Sequence, residues 1–220
     1  MAKHRVEDKH WVEEIFEKCG ALLKGHFVLS SWRHSGEYLD KSLILPDGEE
    51  MADIGWQMAN EATVFNQRIE VVVGPAQGGI IIAHEVAKHL TDFYQEKVHS
   101  VFTEKNSDGT QFFKRPGFKK LVAGKSVLIV DDIFTTGQQI KSVAKEVEKT
   151  GGRILGVIVI CERGEIDSEK IGYPLFSLWK TKIKDWSAKT CPLCIEGKIP
   201  IDPEIGRGKE YLAQLAKKPQ

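Results

Sequence analysis

Residues 126–138, Ser-Val-Leu-Ile-Val-Asp-Asp-Ile-Phe-Thr-Thr-Gly-Gln, constrain the fold of this chain more than any other segment. The run from Ser126 to Val130 is apolar and β-branched without polar alternation, the pattern of a strand covered on both faces in a parallel sheet. It ends on two adjacent carboxylates, Asp131 and Asp132, followed by the polar turn Thr135-Thr136-Gly137. Ile140, Val143, Ala144 and Val147 then recur at helical spacing, and Gly151-Gly152 ends the helix. A helix start leaves backbone N–H groups unpaired and carries the positive end of the helix dipole, so it suits an anion. Gly137 lets the backbone approach that anion closely, and the hydroxyls of Thr135 and Thr136 add donors. Two carboxylates repel a phosphate but accept well from sugar hydroxyls, with a divalent cation nearby to offset their charge. The segment therefore suits a phosphorylated sugar; the plain alternative is an ordinary strand–helix turn capped by Asp and Thr.

The same alternation extends along the chain. Val12, Ile15, Phe16, Cys19, Leu22 and Leu23 predict an amphipathic N-terminal helix. His26–Ser31 and Tyr38–Leu45 read as short strands joined through Ser35-Gly36. Met51, Ile54, Met58, Ala62 and Phe65 mark a second helix. Ile69–Val73 is a continuous apolar strand, broken by Gly74-Pro-Ala-Gln-Gly-Gly79, with a helix through Ala83, Val86, Ala87 and Leu90. His99–Thr103, Arg153–Cys161 and Pro174–Trp179 complete the strands. Strands alternating with helices predict an α/β fold with a doubly wound parallel sheet. The expected organisation is one domain over 1–220: an N-terminal helix/hairpin hood to about residue 66, a core over about 67–180, and a C-terminal tail.

Ligands in such sheets bind beyond the carboxyl ends of the strands, so three further loops matter. The glycine-rich turn 74–79 exposes N–H groups suited to pyrophosphate. Residues 104–120 form a long polar stretch with five cations, Lys105, Lys114, Arg115, Lys119 and Lys120. Loops of that length are usually functional or disordered, and a cationic flap over a polyphosphate is chemically sensible. A solvated β-hairpin pairing through Gln111-Phe112-Phe113 is the simpler reading. Cys161-Glu-Arg-Gly-Glu165 follows a strand end, where Arg163 either reads a polar base or is a solvated surface residue.

Composition narrows the function class. The formal net charge is zero over 220 residues, which gives a nucleic-acid partner no electrostatic support. No apolar run approaches a membrane span. Met1–His10 is charged and lacks an apolar signal core, so a cytoplasmic location is expected. Four scattered cysteines, Cys19, Cys161, Cys191 and Cys194, do not make a disulfide scaffold. Cys191-x-x-Cys194 is either half of a zinc site lacking two ligands, to which histidines or a second subunit could contribute, or a redox pair. No metal ligated directly by the protein is expected.

Paired aspartates at a strand end also occur in response-regulator receivers, usually early in the chain. Here the signature resembles the phosphoribosyl-pyrophosphate (PRPP) motif of type I phosphoribosyltransferases. From about Gly25 to about Ile201 the chain resembles orotate phosphoribosyltransferases in particular. The resemblance rests on Gly25-His-Phe-Val-Leu-Ser-Ser-Trp-Arg-His-Ser35, Tyr38-Leu-Asp-Lys41, Val73-Gly-Pro-Ala-Gln-Gly-Gly79, Phe102-Thr-Glu-Lys105, the signature itself and Cys191-Pro-Leu-Cys194. It implies the type I fold with a flexible flap, and transfer of phosphoribose from PRPP to orotate with Mg2+ carried on PRPP. Asp131 and Asp132 would contact the ribose hydroxyls, and Lys105 would close over PRPP from the flap; these three are the expected catalytic residues. Ala76, Gln77, Gly78 and Gly79 would line pyrophosphate. Thr135, Thr136, Gly137 and Gln138 would hold the 5′-phosphate. Ser31, Arg33, Tyr38, Leu39, Thr135 and Arg163 would surround the base. A homodimer sharing its flaps is implied.

Three positions depart from the family pattern: Ser30 where many members carry Lys, Trp32 where Gly is usual, and Gln138 where a small or hydroxyl residue completes the phosphate turn. The first two motivate an alternative, a phosphoribosyltransferase for another base. A non-enzymatic PRPP- or nucleotide-sensing regulator is a further alternative. Against it, the flap cations are kept and the N-terminal helix is neither strongly basic nor paired with a second recognition helix.

Overall fold

The structure is a computed structural model that describes residues 11–164 and 171–217. The charged segment Met1–His10 and Glu165, both used above, lie outside the described residues. The chain divides into two compact units: one contains Ile44–Thr181 and the chain up to Ile15, the other Phe16–Leu43 and Lys182 onward. The division at 43/44 differs from the expected hood boundary near 66, because the second helix packs with the sheet, while hairpin and tail cluster together.

The first unit is a six-stranded sheet with helices. Its elements are α2 (Gly48–Glu61), β3 (Val71–Pro75), α3 (Gly78–Tyr94), β4 (His99–Lys105), β5 (Gln111–Phe112), α4 (Pro116–Val122), β6 (Ser126–Phe134), α5 (Gln138–Lys149), β7 (Arg153–Arg163) and β8 (Leu175–Thr181). The strand order is β5-β4-β3-β6-β7-β8. All pairings are parallel except β4–β5. The chain leaves β3 through α3 toward β4 but leaves β6 through α5 toward β7. The two crossovers run in opposite directions, so β3 and β6 flank a topological switch point.

The continuous apolar runs are explained by burial on both faces. Val71, Val73, Val127, Ile129, Val157 and Val159 belong to a core with Ile140, Val143, Ala144 and Val147 of α5. Val72, Leu128, Val130 and Ile158 are equally buried on the alternate positions. Helix α2 starts at Asp47, whose side chain accepts from the N–H groups of Glu49 and Glu50 at 3.1 Å each. It stops at Glu61, and Ala62–Phe65 continues as a 3-10 turn rather than the predicted helix.

The segment expected to form the flap contains regular structure. Gln111-Phe112 pairs with Glu104-Lys105 in a hairpin, as the simpler reading had it, and residues 116–122 form α4, which the sequence reading did not anticipate. Phe113 anchors the segment, being almost wholly buried in the α5-side core.

The second unit is built on a three-stranded antiparallel sheet, β1 (Leu22–Val28), β2 (His34–Leu39) and β9 (Asp185–Trp186), in the order β1-β2-β9. Two short helices follow, α6 (Pro192–Glu196) and α7 (Gly208–Ala216). The N-terminal helix α1 (Trp11–Lys18) ends before Gly20 at φ 65°, so Leu22 and Leu23 begin β1 instead of continuing the helix. Both hairpin strands lie earlier than predicted, and the turn is at 29–33, not at Ser35-Gly36. There Leu29 N–H donates to Arg33 O at 2.8 Å and Trp32 N–H to Leu29 O at 2.9 Å. Residues 41–43 form a 3-10 turn, not strand.

Candidate active site

The strand of the signature is longer than expected. β6 runs to Phe134, so Asp131 and Asp132 sit within its last turn of pleat rather than beyond it, with Asp131 opposite Val159 of β7. Adjacent strand residues face opposite sides of the sheet. Asp131 continues the series Val127, Ile129 toward α5, and its Oδ2 accepts from Gln139 Nε2 at 3.0 Å. Its Oδ1 accepts from the Asp132 N–H at 2.9 Å. Asp132 continues the series Leu128, Val130 toward α3, where a Cβ on Gly78 would collide with its Oδ2. Asp132 Oδ1 also accepts from the Ile133 N–H at 2.6 Å. Both aspartates are nearly fully buried. Each acid thus faces the start of a different helix, Asp131 hydrogen-bonded by Gln139 of α5 and Asp132 lying close against Gly78 of α3.

The two glycine turns complete this arrangement. In the first, Gly74 lies so close to Gly79 that a Cβ on either would strike the other's backbone, which allows β3 to fold directly into α3. Ala76 N–H donates to Thr103 O at 2.8 Å, fixing the turn against β4, and Gln77 is exposed at its tip. In the second, Gly137 at φ 72° precedes α5 and, as a glycine, offers that helix no capping side chain of its own. A helix start of this kind presents N–H groups suited to an anionic acceptor. Thr135 is half-buried beside them, while Thr136 and Gln138 are exposed. Two buried hard oxygen donor groups and two anion-type turns at one switch point fit a magnesium-bearing polyphosphorylated sugar.

Residues 44–192 match the family model of the phosphoribosyl transferase domain. The orotate phosphoribosyltransferase of Caldanaerobacter subterraneus subsp. tengcongensis is 38% identical over 196 residues, covering 88% of this chain and 95% of that protein. The corresponding protein of Thermotoga maritima is 34% identical over 199 residues, covering 90% and 98%. This chain belongs to the orotate phosphoribosyltransferases. Among solved structures, the orotate phosphoribosyltransferase of Aeropyrum pernix shares 26% identity at a TM-score of 0.63, covering 77% of this chain and 93% of that one. The Mycobacterium tuberculosis protein in complex with PRPP has the same fold, with 22% identity and a TM-score of 0.57 over 78% and 95%.

The remaining positions expected of an orotate phosphoribosyltransferase are distributed as follows. Lys105 is the last residue of β4, exposed where the hairpin turns through Asn106 and Thr110. Lys114 and Arg115 both pair with Glu104, at 3.4 and 3.2 Å, and Arg115 also lies over the rings of Phe102 and Phe118. Lys119 lies 4.0 Å from Glu146. Among the described residues Lys105 and Lys120 have no acidic partner, so the hairpin tip holds its cation uncommitted while the base of the hairpin is neutralised. Arg163 ends β7, half-buried, with Thr181 opposite. Beside it Glu162 is buried and paired with Lys180 at 2.9 Å, a contact that no sequence motif announced.

In the second unit, Ser31 is exposed in the 29–33 turn and Leu39 is buried opposite Leu22. Tyr38 packs against Phe27, with ring centroids 5.7 Å apart. Arg33 is engaged within this unit: Nε donates to Asp185 Oδ1 at 2.6 Å and a terminal nitrogen to Asp185 O at 3.0 Å. Trp32 has φ 61°, the left-handed region that glycine adopts freely, which gives a physical reason for the family's usual Gly there. Its indole lies under the Arg207 guanidinium, 4.9 Å from the ring centroid.

Four donor atoms the sequence could not group also meet in this unit. His26, His34, Cys191 and Cys194 place one ligand atom each within 4.8 Å of the others. A separate cleft of about 330 Å3 in the first unit is lined by Ile80, Ile81, His84, Phe102 and Phe118 among others, and includes none of the expected site residues.

Proposed function

We propose that this chain transfers the 5-phosphoribosyl group of PRPP to a ring nitrogen of orotate, releasing pyrophosphate and forming orotidine 5′-monophosphate. The observation that carries the reading is the pair of buried aspartates at the β3/β6 switch point, one set against Gly78 at the start of α3 and the other hydrogen-bonded by Gln139 at the start of α5. In this reading the N–H groups at the start of α5, with Thr135, Thr136 and Gly137, hold the 5′-phosphate. Asp131 and Asp132 accept from the ribose hydroxyls and orient the anomeric carbon. The turn Ala76–Gly79 receives the pyrophosphate, and Lys105 adds positive charge as it departs. Mg2+ carried in on PRPP would supply charge neutralisation for the pyrophosphate, with the carboxylates of Asp131 and Asp132 beside it. No covalent nucleophile is required, since a dissociative displacement depends on leaving-group stabilisation.

For the base, Ser31, Arg33, Tyr38, Leu39, Thr135 and Arg163 are the proposed contacts. Arg33 would have to be shared with Asp185, and Leu39 would offer its backbone more readily than its buried side chain. We further propose a cytoplasmic homodimer in which the flap, residues 104–120, of each subunit reaches into its neighbour's site. No helix among the described residues is long and apolar enough to cross a membrane.

The test is pyrophosphate release by the purified protein with PRPP, Mg2+ and either orotate, uracil, hypoxanthine or xanthine. Turnover restricted to orotate is expected. Turnover with one of the other bases and none with orotate would assign the enzyme to that base, the reading that Ser30 and Trp32 keep open. PRPP binding without turnover on any base would make it a sensor.

A further inference from the structure

We propose that His26, His34, Cys191 and Cys194 are the four ligands of a structural metal site in the second unit, and that the donor set selects zinc. The atoms concerned are His26 Nε2, His34 Nδ1 and the two sulfurs. His26 Nε2 lies 3.0 Å from His34 Nδ1, 3.6 Å from Cys191 Sγ and 3.5 Å from Cys194 Sγ, and Cys194 Sγ lies 3.2 Å from His34 Nδ1. A tetrahedron with zinc–nitrogen bonds near 2.05 Å and zinc–sulfur bonds near 2.3 Å has edges of roughly 3.3 Å between nitrogens and roughly 3.6 Å between nitrogen and sulfur. The observed separations are those edges to within about 0.4 Å.

Hydrogen bonding alone does not account for the cluster. His26 Nδ1 lies 3.0 Å from Ile199 O, which fixes the N–H there and leaves Nε2 as a lone pair. Three polar atoms converge on that one lone pair, which can accept from one donor at a time. His34 is fully buried, and its other nitrogen, Nε2, has no hydrogen-bond partner among the described residues. A tautomer that serves one side of His34 therefore leaves the other unsatisfied. One cation satisfies all four converging atoms together. With two thiolates the complex is neutral, so its burial carries no net charge. Cys191 and Cys194 are both free thiols rather than a disulfide.

The backbone sets the ligands in place. Val28 pairs with His34 across the β1–β2 hairpin, so His26, two residues back, lies on the same face as a diagonal neighbour. Cys191 immediately precedes α6 and Cys194 lies in its first turn, the two-residue spacing common in zinc sites. Four protein ligands leave no open position, so the site is structural. Mixed sulfur and imidazole donors in a tetrahedron exclude magnesium and calcium and favour zinc. The ion would cross-link the hairpin to the C-terminal tail.

The test is elemental analysis of the full chain purified under reducing conditions without chelators, together with the visible spectrum after cobalt replacement. One zinc per chain and tetrahedral cobbalt–thiolate bands are expected, with the bands lost in Cys194→Ser and unaffected in Cys19→Ser. Cys194→Ser should weaken metal binding by more than the about 10–100-fold that loss of an outer-shell partner costs. Chelation should raise amide hydrogen exchange across 22–39 and 185–212. Should Cys194→Ser not fold, the cobalt spectrum of the parent chain decides by itself. The proposal is overturned if reduced parent protein takes up neither zinc nor cobalt, or if a Cys191–Cys194 disulfide is found and no cobalt bands appear after its reduction.

Discussion

The two units are stabilised by different means. The sheet unit buries long series of aliphatic side chains on both faces, Val71–Val73, Val127–Val130 and Val157–Ile160 among them, and its buried strand acids Asp131, Asp132 and Glu162 lie toward the carboxyl ends of β6 and β7. The hairpin-and-tail unit, of fewer than about 70 residues, is near the size where a hydrophobic core alone supplies little net stability. Its buried apolar residues are few, chiefly Phe16, Phe27, Val28, Leu29 and Leu39, and its centre is occupied by His26, His34 and Ser35. The lesson is that acidic residues can be buried for chemistry where packing is already sufficient. Where packing is thin, buried polar groups are instead arranged to hold chain segments together.

The sharpest way to break that contrast is to cut a side chain in each unit. Leu128→Ala, fully buried in the central strand, should cost about 2–5 kcal/mol by thermal or urea unfolding. Leu215→Ala on the exposed part of α7 should cost under about 0.5 kcal/mol. Similar losses at both positions would erase the distinction. Next, Asp131→Asn combined with Asp132→Asn should lower turnover by about 100-fold or more while changing the melting temperature little, because the change conserves volume. A stability loss matching the activity loss would mean the acids are structural.

In the second unit, Trp32→Gly should raise stability by up to about 1 kcal/mol. It relieves a left-handed backbone worth about 1–2 kcal/mol and forfeits the Arg207 contact worth about 0.5–1 kcal/mol, a balance that unfolding with and without Arg207→Ala would check. A clear loss would show that the indole packs better than its exposure suggests. A further small effect concerns the sheet unit's surface. Lys125 donates to Glu70 at 2.8 Å and the Ser126 N–H at 3.0 Å, so these hydrogen bonds hold the Glu70 carboxyl below its ordinary value of 4.5. A depressed folded pKa contributes stability that is present above that value and fades as pH falls through the folded one. Glu70→Gln should cost under about 1 kcal/mol at pH 7, since water screens the pair, with a difference from the parent that shrinks in acid. A pH-independent difference would assign the effect to packing.

The sheet was legible because a doubly buried parallel strand leaves an unbroken apolar run, and because acids, hydroxyls and glycine at a strand–helix joint are chemically distinctive. The hairpin was placed several residues off. Short half-buried strands lack a strong period, and the turn was hidden by a tryptophan standing in a glycine conformation. The segment 104–120 was recognised as cationic, but its division into hairpin tip, neutralised base and helix α4 depends on pairing of Glu104 with Lys114 and Arg115 across the hairpin, on the burial of Phe113 in the α5-side core and on Glu146 of α5 beside Lys119.

Sequence pattern determined the α/β class through the alternation of apolar strands and amphipathic helices along the chain, and local chemistry determined the acid pair and the two anion-type turns, each written in a short run of consecutive residues. Tertiary structure decided which helix start each aspartate faces, since pleat alternation and opposite crossovers send neighbours to opposite sides of the sheet. It also brought His26 and His34 to Cys191 and Cys194, donors more than 150 residues apart in sequence. Convergence over that separation depends on antiparallel register and tail placement, which no local pattern encodes.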